Sequence, residues 1–165
     1  MAEALIAITI ITVGLVGILS LLGQSLGITK VVGNEYIGAN LAAEGIELMK
    51  NVIDNHIIAG TAFGTGIHTG DFEMDYNDAT PATASNRLLL LDPSGFYNYT
   101  NGNPTIFRRT IRVNTNPNGA GALVPLVQIK VNSIVEWTAK GSPFKVDVED
   151  RFFDWNPLPT SPIAP

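Results

Sequence analysis

Residues 4–29 read ALIAITIITVGLVGILSLLGQSLGIT, a stretch without a single charged side chain. Glu3 stands immediately before it and Lys30 immediately after it. About 20 apolar residues are enough to cross the hydrocarbon of a bilayer, so the stretch predicts a membrane-spanning helix. Because it is apolar on every side, it also predicts apolar surroundings on every side.

The stretch differs from a secretory signal peptide in two respects. No basic residue precedes it, and its apolar length exceeds that of a typical signal core. We therefore expect it to be retained, and we assign residues 1–30 to the hydrophobic first half of a longer helix.

The pattern from residue 31 to residue 58 is amphipathic and contains no proline. One helix of about residues 1–58 is therefore predicted, ended by Gly60, with an ion pair between Glu47 and Lys50. Small and apolar residues recur at spacing three and four, at Leu41, Gly45, Leu48/Met49, Val52/Ile53 and Ile57.

Beyond Gly60 the sequence predicts an antiparallel β head over residues 59–155 and a proline-rich tail over 156–165. The fold class is therefore α+β, with the long N-terminal helix packed on a C-terminal antiparallel sheet. Expected strands cover residues 72–76, 87–91, 106–114, 127–137 and 144–155, with turns at 92–95, 116–121 and 140–143. Trp137 and Trp155 are expected in the core.

Composition excludes several kinds of function. The net charge is −5 and the basic residues are scattered, which argues against a nucleic-acid partner. No cysteine is present, so disulfides, thiolate nucleophiles and cysteine zinc sites are excluded. We expect no cofactor, no metal and no catalytic residue.

One motif resembles a catalytic signature only superficially. Residues 23–27 match G-x-S-x-G around Ser25, but that motif needs a strand before it and an exposed turn at the serine. Gly23 and Gly27 also form G-x-x-x-G, a helix-packing signal. His56 and His68 have no partner in the sequence pattern and are expected at the surface.

Acidic residues and a glycosylation sequon complete the candidates in the head. Asp71, Glu73, Asp75 and Asp78 lie close together with Asn77, but without the EF-hand register. A solvated acidic strand and turn is the preferred interpretation, with calcium binding as the alternative. Asn98 begins an N-x-T sequon, which makes it a possible glycosylation site.

Glu3 admits two interpretations. A carboxylate in hydrocarbon costs about 2.5–3.5 kcal/mol on insertion scales, so it needs a cation or a position near the headgroups. In the first interpretation Glu3 lies near the headgroups. In the second it pairs with an α-amino group, its own or a neighbour's, and so fixes the axial stagger between identical helices.

The segment MAEALIAITIITVGLVGILSLLGQS resembles the N-terminal helix of type IV pilins and type II secretion pseudopilins. Glu3 and residues 4–7 match the family's acid and the apolar run after it. LAAEGIELMKNVID resembles the second half of that helix, and residues 127–155 resemble a strand pair of some pilin-like subunits. The chain departs from the family in three ways: its acid is third rather than fifth, its apolar helix lacks the usual proline, and paired cysteines are absent.

The resemblance implies a structural subunit of a helical type IV pilus that serves adhesion, motility or DNA uptake. Its implied partners are identical subunits, the bacterial inner membrane before assembly and the pilus assembly machinery; its final location is the cell surface. Leader processing and N-methylation are implied in the same way. The implied assembly residues are Glu3, Leu5, Ile8, Leu15, Leu19 and Leu22. The helix is expected to soften at Gly14, Gly17, Gly23 and Gly27. The alternatives are a minor pseudopilin of a secretion machine and a single-pass membrane-anchored binding domain.

Overall fold

The structure, a computed structural model, describes residues 2–116 and 128–155. It begins with one helix, α1 (Ala2–Ile58), of 57 residues. Eight strands follow: β1 (Gly70–Glu73), β2 (Ala82–Thr83), β3 (Leu90–Leu91), β4 (Tyr97–Asn98), β5 (Asn103–Pro104), β6 (Arg108–Asn114), β7 (Gln128–Ala139) and β8 (Ser142–Phe153).

The strands form two antiparallel sheets, which confirms the predicted α+β class. The larger sheet has the order β2-β1-β6-β7-β8, and the smaller has the order β4-β3-β5. The meander β6-β7-β8 matches the predicted hairpin order; within it Ile111 pairs with Ser133, and Ser133 pairs with Val148.

The chain divides into two compact units, Met1–Ile37 and Gly38–Pro165. In the first unit the described residues are all helical. The hydroxyls of Thr9 and Thr12 donate to the carbonyls of Leu5 and Ile8, each over 2.7 Å. These polar side chains are therefore satisfied by the helix itself, without water.

In the second unit, the head, the helical residues 38–58 bury one face. The predicted spacing is confirmed, because Leu41, Met49, Val52 and Ile53 are at most 4% exposed. The helix ends where Gly60 adopts a φ of 74°, and the Gly60 and Thr61 N–H groups bond back to the last turn in a Schellman motif.

Two glycines of α1 allow the helix to approach β7 closely within the head. A Cβ at Gly38 would lie 2.6 Å from the Trp137 ring, and a Cβ at Gly45 would lie 2.2 Å from Ser133 Oγ. Any larger residue would push helix and strand apart, so both positions require glycine for a packing reason.

The main core cluster lies between α1 and the larger sheet. It includes Ile46, Met49, Phe72, Ile111 and Val131. The predicted alternation in β6 is confirmed, because the side chains of residues 107, 109, 111 and 113 are buried and those of 108 and 112 are exposed.

Several predicted details are corrected. Lys50 forms its ion pair with Asp54 rather than with Glu47, because residues four apart also share a helix face. β1 stops at Glu73, since the chain turns at Asp75, where the Asp78 carboxylate accepts the Asp75 N–H. Trp137 is in the core as expected, but Trp155 is 78% exposed.

The other strand predictions need smaller corrections. Of residues 87–91 only Leu90 and Leu91 form a strand, because the Arg87 N–H binds a side chain instead of a strand partner. β6 begins two residues later than predicted, and β7 and β8 extend to a tight hairpin turn at Lys140 and Gly141. Most of the predicted turn at 116–121 and the whole tail at 156–165 lie outside the described residues.

Candidate functional site

The first unit carries the most unusual surface of the chain. Its large apolar side chains are exposed along the whole apolar stretch, from Leu5 at 68% to Ile28 at 64%. By length and composition alone, α1 contains a segment able to cross a membrane, and none of that segment is buried against the other residues that the structure describes. An apolar rod of this kind needs lipid or apolar protein around it.

The predicted assembly leucines and isoleucine share one side of this helix. At 3.6 residues per turn, the five positions fall within an arc of about 100°. All five are more than half exposed, at Leu5, Ile8, Leu15, Leu19 and Leu22. The face is therefore continuous and without an intramolecular partner among the described residues.

The glycines of the apolar segment contrast with those of the head. A Cβ added at Gly14, Gly17 or Gly23 would meet nothing within 4 Å, whereas at Gly45 it would collide with Ser133. Among residues 2–116 and 128–155, no contact within a single copy of the chain therefore accounts for these three glycines. Glu3 lies in the first turn of α1, where the helix dipole favours a negative charge.

A buried carboxylate organises the head near β1. Glu73 is 1% exposed and accepts four hydrogen bonds: from the Ser85 N–H and hydroxyl at 2.9 and 3.0 Å, and from the Arg87 N–H and Nε at 3.0 and 2.8 Å. Burial alone would raise the pKa of Glu73, but these donors outweigh it and hold the pKa below its usual value.

The carboxylate of Asp75, two residues after Glu73, is also buried and also accepts hydrogen bonds. Asp75 is 4% exposed, and its oxygens accept the N–H groups of Asn77 at 3.0 Å and Tyr99 at 3.3 Å. The expectation of a solvated acidic strand is therefore wrong for Glu73 and Asp75. The calcium alternative also finds no support, since in the described parts of the chain no group of three metal-ligating side chains occurs.

A buried guanidinium connects α1 to β6. Arg109 Nη1 lies 3.2 Å from Glu44 Oε1 and donates to the Leu41 carbonyl, while Nη2 donates to the Met74 carbonyl at 2.7 Å. The Tyr99 hydroxyl donates to the Arg109 carbonyl, and burial raises the pKa of Tyr99 to about 12. The sequence signal for this contact was the position of Arg109 on the apolar side of the β6 alternation.

The sequon at Asn98 is not presented to solvent. Asn98 is 4% exposed, and its Oδ1 accepts the N–H groups of Thr100 and Asn101 at 2.9 and 2.7 Å. A glycosyltransferase needs an accessible amide, so the folded geometry argues against glycosylation at this position. The same turn chemistry explains why Asn occurs here.

The remaining candidates do not form a reactive group. Ser25 lies inside α1, so the strand and turn that a nucleophile elbow requires do not flank it. His56 and His68 both line an apolar cavity of about 310 Å³ beside the loop that follows α1. His68 is exposed as expected and packs edge-on against Phe72, whereas His56 is half-buried.

The architecture is compatible with a pilin-like fold, since a long apolar N-terminal helix precedes an antiparallel sheet on which its second half packs. Comparisons with protein-family models, with curated proteins and with solved structures gave no significant match.

Proposed function

We propose that this protein is a structural subunit of a helical extracellular filament of the type IV pilus kind. In this proposal the first half of α1 is held in the membrane before assembly, and afterwards it packs against the same segment of other copies. The observation that carries the proposal is the helix over residues 4–29, which is apolar on every side and exposed along its length.

The energetics favour a shared apolar core. Burying one exposed Leu, Ile or Val side chain contributes about 1.5–3 kcal/mol. A dozen such residues therefore strongly favour the transfer of the helix from water into an apolar environment. In lipid that hydrophobic term is lost, and association depends instead on close packing of helices. Gly14, Gly17 and Gly23, which have open space beside them in one copy, support such close approach.

In this proposal the interface between copies is heterologous and does not close, so the copies form a filament rather than a ring. When two different surfaces of the chain meet and the rotation between copies does not close, copies add without limit. Glu3 gives this interface an axial register in the proposal, because its carboxylate pairs with an α-amino group of a neighbouring copy and cannot shift along an apolar surface without losing that partner.

The same membrane segment supports a second function, a single-pass anchor for an exported binding domain. A minor pseudopilin of a secretion machine is a variant of the first proposal. The anchor predicts a monomer in detergent and no filaments. The pseudopilin predicts filaments in which this chain is scarce.

The deciding experiment is to shear surface filaments from cells that express the chain and to identify the dominant protein by mass spectrometry. We expect this chain to dominate, Glu3→Lys to abolish assembly and Glu47→Lys, which changes an exposed acid of the head, to assemble normally. Normal assembly of Glu3→Lys would refute the pairing role. Absence of filaments from the unmodified chain would refute the subunit proposal.

A further inference from the structure

A groove of about 630 Å³ opens on the head between the last turns of α1 and the end of β8. Part of its lining belongs to the main core or packs against it, at Ile53, Ile57, Phe63 and Phe152. Three other large apolar side chains of the lining are exposed: Ile58 at 82%, Phe153 at 56% and Trp155 at 78%. A contiguous exposed apolar surface of this kind marks a binding site.

The charged residues that line the groove already have partners. Lys50 forms an ion pair with Asp54, and Arg151 Nε lies 3.1 Å from Glu149 Oε1. A charged ligand would have to displace these pairs, whereas the rest of the lining is apolar or aromatic. The groove therefore favours an uncharged, apolar occupant.

The sequence that continues from Trp155 has the composition that such a groove binds. Residues 156–165 read NPLPTSPIAP, with four prolines and no charged side chain. Pro159, Pro162 and Pro165 recur every three residues, which is the repeat of a polyproline II helix, so in that conformation they share one side. Aromatic-lined grooves recognise proline-rich segments in this conformation, because such segments lose little entropy on binding.

Chain length keeps this segment beside the groove. Trp155 itself belongs to the lining, and Pro159 follows it by four residues, which span at most about 14 Å. Along α1 the groove extends from Lys50 to Ile58, about 12 Å of helix. Four residues of polyproline II cover the same length of about 12 Å. A segment tethered so closely has an effective concentration in the millimolar range, which favours it over a separate copy.

We propose that the groove binds residues 156–165 of the same chain, with prolines of this segment packed on Phe153 and Trp155. The contact involves the head alone and holds whether or not the chain forms filaments. It covers the exposed aromatic side chains at this end of the head. While the segment is bound, the groove is closed to other apolar partners.

The test is disulfide cross-linking in the full chain, which has no cysteine of its own. The chain is held in phosphatidylcholine nanodiscs and carries Ser161→Cys together with Lys50→Cys, a position in the groove. The matched control combines Ser161→Cys with Asn51→Cys, which is exposed on α1 but outside the groove lining. Mass spectrometry after mild oxidation measures disulfides within and between chains. We expect the intrachain disulfide to form on the order of tenfold faster at position 50 than at position 51.

Side-chain variants identify what holds the segment. Phe153→Ala should slow the cross-link at position 50, because it removes an aromatic surface on which proline packs. Phe96→Ala is the matched control, since its ring is 55% exposed but does not line the groove. Replacing Pro159 and Pro162 by serine together should slow the cross-link as Phe153→Ala does.

Three results would each overturn the proposal. Equal rates at positions 50 and 51 would show that residues 156–165 do not lie in the groove. A disulfide between chains that forms at position 50 in proportion to protein density would assign the groove to a second copy. Rates unaffected by Phe153→Ala and by the two serines would show that aromatic and proline side chains do not hold the segment.

Discussion

At the scale of single residues, the head is held together by carboxylates that bind backbone N–H groups. Glu73 joins β1 to the segment at Ser85 and Arg87, and Asp75 joins the following turn to Tyr99. Hydrogen bonds to a charged group contribute about 1.5–3 kcal/mol each, whereas a buried carboxylate that loses its donors is strongly unfavourable. These two acids therefore have a structural role in the head.

The Glu73 carboxylate predicts a pH-dependent stability. Its pKa lies below the ordinary value of 4.5 in the folded chain, so the unfolded chain binds protons more readily. The stabilisation is complete above the unfolded pKa and is lost as the pH falls through the folded pKa. We expect Glu73→Gln to cost about 2 kcal/mol at neutral pH and much less in acid, measured by urea unfolding with Trp137 fluorescence.

The control for this prediction is Asp71→Asn. Asp71 also has a lowered pKa, caused first by its hydrogen bonds to Arg112, but the pair is exposed to solvent. Exposed pairs contribute about 0.2–1 kcal/mol, so the loss should be small. A Glu73→Gln variant whose deficit is as large in acid as at neutral pH would contradict the assignment.

Arg109 and Glu44 predict an asymmetric pair of mutations. The Arg109 side chain is fully buried, whereas that of Glu44 is 35% exposed. Removing the carboxylate with Glu44→Ala leaves a buried cation held only by carbonyls, and we expect a loss of about 2 kcal/mol. Arg109→Met replaces the cation by an apolar side chain of similar length and should cost less.

Measured in the same urea assay, the double variant should be more stable than Glu44→Ala alone, because the uncompensated charge is gone. If Arg109→Met were the more damaging change, the two carbonyl hydrogen bonds would be the main contribution of Arg109 and the ion pair a minor one.

The residue-scale features were the least predictable from sequence. The alternation of β6 indicated that Arg109 faces inward, yet nothing in it identified Glu44 as the partner. The burial of Glu73, Asp75 and Asn98 was missed because each of them has backbone N–H groups among its partners. Such partners carry no signature in residue type, so an acidic or amide side chain looks solvated until the turn geometry is known.

At the scale of elements, the periodicity of apolar residues was sufficient to predict which stretches form the helix and the main strands. The spacing of Leu41, Gly45 and Met49 predicted the buried face of α1, and period-two alternation predicted β6 and the β7–β8 hairpin. The predicted strand ends were less accurate, since β1 ends at Glu73 and the chain turns at Asp75. The close approach of α1 to β7 was also missed, because a glycine in a helix does not reveal what lies opposite it.

That approach yields a prediction for Gly45→Ala. Alanine favours the helix by about 1 kcal/mol, but its Cβ would lie 2.2 Å from Ser133 Oγ and 3.1 Å from Arg109 Cδ. Overpacking of this kind costs about 1–3 kcal/mol, so we expect a net loss in the free energy of unfolding. Ser133→Gly in the same chain should recover part of the loss.

Gly33→Ala is the matched control, because a Cβ at Gly33 meets nothing within 4 Å. It should leave unfolding of the head unchanged or slightly stabilised. If Gly45→Ala behaved like Gly33→Ala, the close contact between α1 and β7 would not exist in solution.

At the scale of the whole molecule, the chain combines a helix that needs apolar surroundings with a head that has its own core. From the glycines of the helix we predict that one set of substitutions can impair filament assembly without impairing membrane insertion. Replacing Gly14, Gly17, Gly23 and Gly27 by alanine stabilises the helix by about 1 kcal/mol per site and adds a methyl group to each position.

We expect the quadruple variant to insert into membranes as before and to give few sheared filaments, since helices can no longer soften or approach closely. Alkaline extraction measures insertion, and electron microscopy of sheared material measures assembly. Filaments in normal number would show that the four glycines are not needed for assembly.

The length of chain between the two sides of the head's core has a consequence for biogenesis. Ile46 and Val131 belong to one cluster although about 85 residues separate them, which a ribosome adds in about 4–17 s at 5–20 residues per second. Throughout that interval the apolar face of the nascent helix has no sheet to cover it. Residues 4–29 precede the head in the chain and are able to enter a bilayer. Their insertion before the head is complete would keep each unfinished chain on the membrane and away from aggregation in solution while its sheet is still being translated.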